Sequence, residues 1–312
     1  MTHSDQALAQ QGRESIKVGS KSFSLASKVL PPVIRDDASM LYSWCRYCDD
    51  VIDGQEMGHG QIADYRDGQA ERLEELRRLT QEALEGQAQD PIFQGFSKVM
   101  ERNEIPHAHA FELLKGFEMD AEERVYRSLD DILDYSYHVA GVVGVMMAMI
   151  MGARAPETLD RASDLGLAFQ LTNIARDVID DAKADRVFVP QDLLTKHGAP
   201  IEAPLLAQKE NWPTAHKAAV DLLDVAEGYY QSARTGIREL PFRCAWAITA
   251  ALKVYREIGE VLRRDGPDAW EGRVGASSGR KVSLALMAGG PAITRKSAED
   301  YPREGFYQRP KV

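Results

Sequence analysis

Apolar residues recur at three- and four-residue spacing along most of the chain, the signature of amphipathic helices. No stretch alternates apolar and polar positions for long enough to read as a strand. The pattern predicts a polar opening helix over 5–18, then a break at Pro31-Pro32. Asp36 and Asp37 stand where they can cap the next helix, which runs through 42–53. Further helices are expected over 62–84, where acid–base pairs recur at i,i+4, and over 91–102, 106–122, 129–152 and 156–181. A connector punctuated by Pro and Gly (189–213) leads to helices over 214–240, 243–264 and 282–288. The longest apolar run, 139–153, is shorter than the roughly 20 residues that span a bilayer. It reads as a buried core helix, with Gly141 and Gly144 allowing close packing. One all-α domain over 1–290 with a loose polar tail over 291–312 is the simplest organisation.

Two of these helices carry an unusual polar stripe. At about 100° per residue, Tyr42, Arg46, Asp49 and Asp53 fall on one face of the first. Gln170, Asn173, Asp177 and Asp181 share one face of the second, with apolar Leu171, Ile174 and Val178 between them. Carboxylates one turn apart, roughly 6 Å, repel by about 3 kcal/mol at an effective dielectric near 20. A single D-D-x-x-D is explained as well by a solvated acidic face. Two such stripes, each embedded in a core helix, point instead to a hard divalent cation. Magnesium takes oxygen ligands and bridges a few carboxylates to phosphate oxygens, so the pair reads as a diphosphate site facing a cleft.

Composition narrows the partners. The 312 residues are 44% hydrophobic and 28% charged, enough for a packed core under a solvated surface. A formal net charge of -10 argues against nucleic acid, which needs a basic patch. Cys45, Cys48 and Cys244 make no disulfide framework or zinc set, and the C-x-x-C reads as buried thiols. The polar first residues have no signal-peptide core, so a cytoplasmic protein is expected. No Gly-rich fingerprint follows a strand, so no nicotinamide is expected. The six aspartates of the stripes (Asp49, Asp50, Asp53, Asp177, Asp180 and Asp181) exceed what cations and a diphosphate would balance, so Arg and Lys must stand nearby. The connector 275–281 resembles a phosphate loop only loosely.

Around the stripes the chain resembles the squalene/phytoene synthase family, and within it the bacterial phytoene synthases. The likeness rests on SKSFSLASKVLPP (20–32), YSWCRYCDDVID (42–53), LLKGFEMD (113–120), YSYHVAGVVG (135–144) and LAFQLTNIARDVIDDAKADRVFVP (167–190), and continues more weakly through Tyr255 and Arg273. It implies the all-α isoprenoid synthase fold with a central cavity, and magnesium, or manganese in its place, as cofactor. Asp49, Asp53, Asp177 and Asp181 would be metal ligands with Asn173 beside them. Asp50 and Asp180 are weaker candidates, each about 100° off its partner face. Arg46, Lys21 and Arg273 would meet diphosphate oxygens, with Tyr255 near them. Gln170, Tyr42, Tyr135 and Asp120 would line the cavity or stand behind its ligands. Phe23, Leu167, Phe169 and the 139–151 run could form its greasy wall, although plain core packing explains each as well.

The activity implied is head-to-head joining of two geranylgeranyl diphosphates, through a cyclopropyl diphosphate, to phytoene. One departure stands out: many relatives have R-x-Y where this chain has Arg186-Val187-Phe188. Alternatives remain a C15 farnesyl diphosphate substrate, a head-to-tail transferase or cyclase on the same fold, and a non-catalytic relative serving in assembly. The last would not need two complete acidic sets. A substrate this greasy invites peripheral contact with the inner membrane face, though no amphipathic basic helix marks it in the sequence.

Overall fold

The computed structural model describes residues 3–19, 21–55, 66–272, 274–297 and 300–311. Arg273 and the side chains of Lys21 and Phe23 lie outside the described residues. The described chain is helical and contains no strand. In order come α1 (His3–Gly19), α2 (Lys21–Ser27), α3 (Pro32–Asp53), α4 (Gln69–Leu84), α5 (Pro91–Arg102), α6 (Ala108–Ala121) and α7 (Leu129–Ser136). A π-helical turn (Tyr137–Gly141) joins α7 to α8 (Val142–Ile150). Then follow α9 (Pro156–Lys183), α10 (Gln191–Lys196), α11 (Ala203–Leu206), α12 (Trp212–Ile237), α13 (Phe242–Asp265), α14 (Ser278–Met287) and α15 (Gly289–Thr294). The connector expected over 189–213 therefore contains two short helices, since Leu194 and Leu206 find core to bury against.

The central helix is α9, which packs along α12 and crosses α8 and α13. Its crossing with the π turn and α8 brings backbone against backbone. A Cβ on Gly144 would lie 2.4 Å from the Ala162 carbonyl oxygen, and one on Gly166 2.4 Å from that of Ala140, so only glycine fits at either position. The helix Leu129–Ile150 is long and apolar enough to cross a membrane, but 67% of its most apolar window is buried inside the protein. It is a core helix, as its sequence suggested.

Two expectations are corrected. Because α3 already begins at Pro32, Asp36 and Asp37 lie inside it and cap nothing. They tie α3 to its neighbours instead: Asp36 pairs with Arg13 of α1. Asp37, with its side chain 2% exposed, takes Arg102 at 2.6 Å and Asn103 at 3.1 Å. The tail, expected to be loose because it is polar, makes specific contacts over its described part, 300–311. Arg303 forks onto Asp164 of α9 at 2.8 and 2.9 Å, Arg309 meets Asp160 at 2.6 Å, and the Tyr307 hydroxyl donates to Asp134 at 3.0 Å. Asp164 is fully buried, and the tail supplies the cation it needs.

Candidate active site

A cavity of about 430 Å³ lies between α3 and α9. From α3 it receives Tyr42, Arg46 and Asp49, and from α9 Phe169, Gln170 and Asn173. Asp120 of α6, Tyr135 of α7 and Tyr255 of α13 complete its polar end. Eight of the proposed site residues thus meet in one hollow. The rest of the wall is apolar, including Leu113, Phe117, Val143 and Met147. Along α9 the lining runs from Asn173 back to Thr158, with Ala162 about three quarters of the way along. Fifteen residues of helix make that wall roughly 22 Å long. Leu167 does not belong to it: it is fully buried and packs toward Gly141 on the other side of α9.

Asp53, Asp177 and Asp181 stand one to two turns farther along the same two helices, and a cation links the two sides. Arg186, in the loop after α9, lies 3.5 Å from Asp53 and 2.5 Å from Asp120. Its charge also reaches Asp181. Arg46 pairs with Asp49 and sits 3.6 Å from Asp50, while Arg176 forks onto Asp177, with Nε 2.7 Å from one oxygen. Asp180 points outward, 81% exposed beside Lys183 at 3.3 Å. Neither Arg176 nor Arg186 was proposed as a site residue from the sequence. The signal was the charge count, which demanded cations without saying which ones.

Even so, the carboxylates are under-compensated. Burial, with Asp53, Asp50 and Asp120 adding to it against the pull of Arg46, pushes the Asp49 carboxyl up to about 7. Its side chain is 40% exposed and lines the cavity. Burial and Asp177 push Asp181 up to about 8, despite Arg186 and Arg176. Asp120 rises to about 6 through burial, opposed mainly by Arg186. Asp53 is raised by burial against Arg186 and Arg46. A carboxyl that holds its proton near neutrality lacks a counter-cation.

The donor set fits magnesium. Among the described residues no three His, Cys, Asp or Glu side chains converge as a ready-made cage. The oxygens are instead divided between two helix faces, which suits an ion that binds one or two carboxylates and completes its shell with water and phosphate. Asn173 adds a buried side-chain oxygen with no hydrogen-bond partner, while its amide nitrogen reaches Gln170 at 3.5 Å. An oxygen buried without a donor is what a hard cation can use.

The aromatic residues hold these groups in place. The Tyr135 hydroxyl donates to both Asp120 oxygens at 3.0 and 3.1 Å. Phe188 stacks on Tyr135 and Tyr126 with centroids 5.4 and 5.7 Å away, and the Arg186 guanidinium lies 4.7 Å over its ring. Asp120 thus takes its phenolic hydroxyl from Tyr135, and the plain ring of Phe188 serves as a shelf for Arg186. Tyr42 hydrogen-bonds Arg46, and Tyr255 stacks on Phe169 at 4.2 Å within reach of the charges of Arg176 and Arg46. Cys45 lines the cavity beside Asp49, and burial pushes its thiol up to about 12, which makes it inert.

Comparison with known proteins adds to this geometry. The squalene/phytoene synthase profile matches residues 16–285. The 15-cis-phytoene synthase of Paracoccus sp. (strain N81106 / MBIC 01143) is 49% identical over 299 residues, covering 95% of this chain and 96% of the relative. The 15-cis-phytoene synthase of Enterobacter agglomerans is 45% identical, covering 95% and 100%. Among solved structures, a dehydrosqualene synthase in complex with ligand superposes with a TM-score of 0.80 at 26% identity, covering 93% of this chain and 98% of its own.

Proposed function

The chain belongs to the squalene/phytoene synthase family, and from that premise we propose that it condenses two geranylgeranyl diphosphates head to head into phytoene, in carotenoid biosynthesis. The observation that carries this reading is the placement of two acidic helix faces at one end of an apolar hollow roughly 22 Å deep. A diphosphate belongs at the acidic end and a long prenyl chain in the remainder.

Asp49 and Asp53 on one side, and Asn173, Asp177 and Asp181 on the other, would hold magnesium. Bound there, the metal supplies positive charge against the leaving diphosphate oxygens. The protein does the rest. Arg46 and Arg176 lie close enough to the acidic faces to move onto diphosphate oxygens once the carboxylates turn to the metal. Arg186 keeps Asp53, Asp120 and Asp181 from repelling one another. Departure of the first diphosphate leaves an allylic cation; the second molecule's double bond attacks it, and loss of a proton from the resulting cation closes the ring to a cyclopropyl carbinyl diphosphate. A second ionisation, rearrangement and proton loss give the hydrocarbon. Phe117, Val143, Met147 and Phe169 exclude water from these cations, and Phe169 and Tyr255 present π faces to them.

The test is product analysis. Pure protein with the C20 diphosphate and magnesium should yield a C40 hydrocarbon and inorganic diphosphate. A longer prenyl diphosphate would mean head-to-tail chemistry and overturn the reading. Asp49→Asn and Asp177→Asn should each abolish diphosphate release with the circular dichroism unchanged. Near-normal turnover in either would remove the metal assignment.

A further inference from the structure

Most of the surface is polar, but one face is not. The three most exposed large hydrophobic side chains among the described residues sit on α14 and α15: Ile293 at 69%, Leu286 at 68% and Met287 at 57%. Val282, 47% exposed, stands one turn before Leu286 on the same face. These helices are anchored from beneath. Ser277 caps α14 by accepting from the Arg280 N–H, Leu284 is buried, and Trp246 Nε1 donates to the Ala285 carbonyl at 2.9 Å. Arg295, just past α15, donates to the Leu240 carbonyl at 3.2 Å. The outer face is therefore held in position while its apolar side chains have nothing among the described residues to cover them.

The charge of this stretch is as unusual as its hydrophobicity. Residues 272–298 contain no Asp or Glu but five basic residues, Arg273, Arg280, Lys281, Arg295 and Lys296, in a chain where acids outnumber bases 48 to 38. Arg280 shares its charge with Glu257 at 2.8 Å and Lys296 with Glu239 at 3.3 Å, while Arg295 donates to the neutral carbonyls of Leu240 and Ala292, which leaves its positive charge in place. Apolar residues at the crest with cations around them match a surface that is greasy inside and anionic outside. The face also sits over the apolar part of the cavity. Leu240, bonded by Arg295, lines that cavity, and so does Ile248, two residues from the Trp246 on which α14 rests.

We propose that α14 and α15 are the surface by which this protein docks on a lipid bilayer carrying anionic headgroups, with Val282, Leu286, Met287 and Ile293 entering the interfacial layer. The inference deepens the proposed function and rests on it in one respect: a forty-carbon hydrocarbon has no solubility in water and must be handed to lipid. The two can still fail separately, because the test reads binding without substrate.

Purified protein is floated with phosphatidylglycerol/phosphatidylcholine vesicles and with phosphatidylcholine vesicles alone. The wild type should float with the anionic vesicles, and high salt should weaken the binding. The double variant Leu286→Glu/Ile293→Glu, and the milder Leu286→Ser/Ile293→Ser, should bind at least tenfold more weakly. Both should keep wild-type turnover in detergent, because neither residue touches the cavity. Equal flotation of wild type and variants, or no flotation of the wild type, overturns the proposal. So does a wild-type dimer that the glutamate variant dissolves while wild-type vesicle binding is absent, since a second copy would then be what covers this face.

Discussion

Ala162→Phe tests whether the α9 wall measures prenyl length. Ala162 lines the cavity about three quarters of the way along the α9 stripe, eleven residues back from Asn173, roughly 16 Å at 1.5 Å per residue. From ordinary carbon–carbon bond lengths and angles, an extended five-carbon unit spans roughly 5 Å. A C15 chain starting at the acidic end thus stops about where Ala162 stands, and a C20 chain continues toward Thr158. A phenyl ring there denies the last unit its place. At about 0.8 kcal/mol per buried methylene, five unburied carbons forfeit about 4 kcal/mol, or roughly a thousandfold in kcat/KM. The cavity gives the ring room, so the overpacking cost should lie at the low end of about 1–3 kcal/mol. The assay separates hydrocarbon products from parallel incubations with C20 and C15 diphosphates. The C20 rate should collapse and the C15 rate persist, shifting their ratio by about three orders of magnitude. Equal loss of both, or an unchanged C20 rate in a folded variant, would refute the assumption that the chain lies along α9.

Arg186→Gln leaves Asp53 and Asp120 without their shared cation. It should cost on the order of 3 kcal/mol, and magnesium should raise the melting temperature more in the variant than in the wild type; an equal rise would mean that Arg186 does not stand in for cationic charge. Without metal, Asp49, Asp181 and Asp120 keep their protons up to about 7, 8 and 6, so between the ordinary carboxylate range and pH 8 the folded chain holds more protons than the unfolded one. Stability should then fall as pH rises through that window and level off above it. Magnesium must displace those protons, so its stabilising effect should grow over the same window; metal-free melts that rise with pH would contradict this. Arg303→Ala strips Asp164, whose side chain is 1% exposed, of its ion pair and leaves Ser232 as its partner. A loss of about 3 kcal/mol is expected, and a melting curve that does not move would show that the tail carries no load.

The helices and both acidic stripes were legible because periodicity speaks within one element. Asp49 and Asp53, or Asn173 and Asp177, declare a common face without any knowledge of the fold. Arg186 was not legible in this way. It sits in a loop, and its carboxylate partners lie 133 and 66 residues away in the chain. Asp36 and Asp37 misled for a related reason: after a proline break they look like caps, and only the packing of α1 and α5 shows them buried. The polarity of the tail suggested disorder, but Arg303 and Arg309 are polar because α9 presents Asp164 and Asp160 to them. The π turn at Tyr137–Gly141 left no mark in the hydrophobic pattern, which runs through it unbroken.

The glycine crossing of α8 with α9 bears on how such a hollow can be reshaped. Where Gly144 meets the Ala162 carbonyl and Gly166 meets that of Ala140, main chain abuts main chain, and no substitution can add or remove bulk without forcing the helices apart. The waist of the chamber is therefore fixed in width. Adaptation to a longer or shorter prenyl tail is left to the side chains around it, and Ala162, whose backbone forms part of the waist, is one of the few positions on this wall that can be refitted without moving the frame.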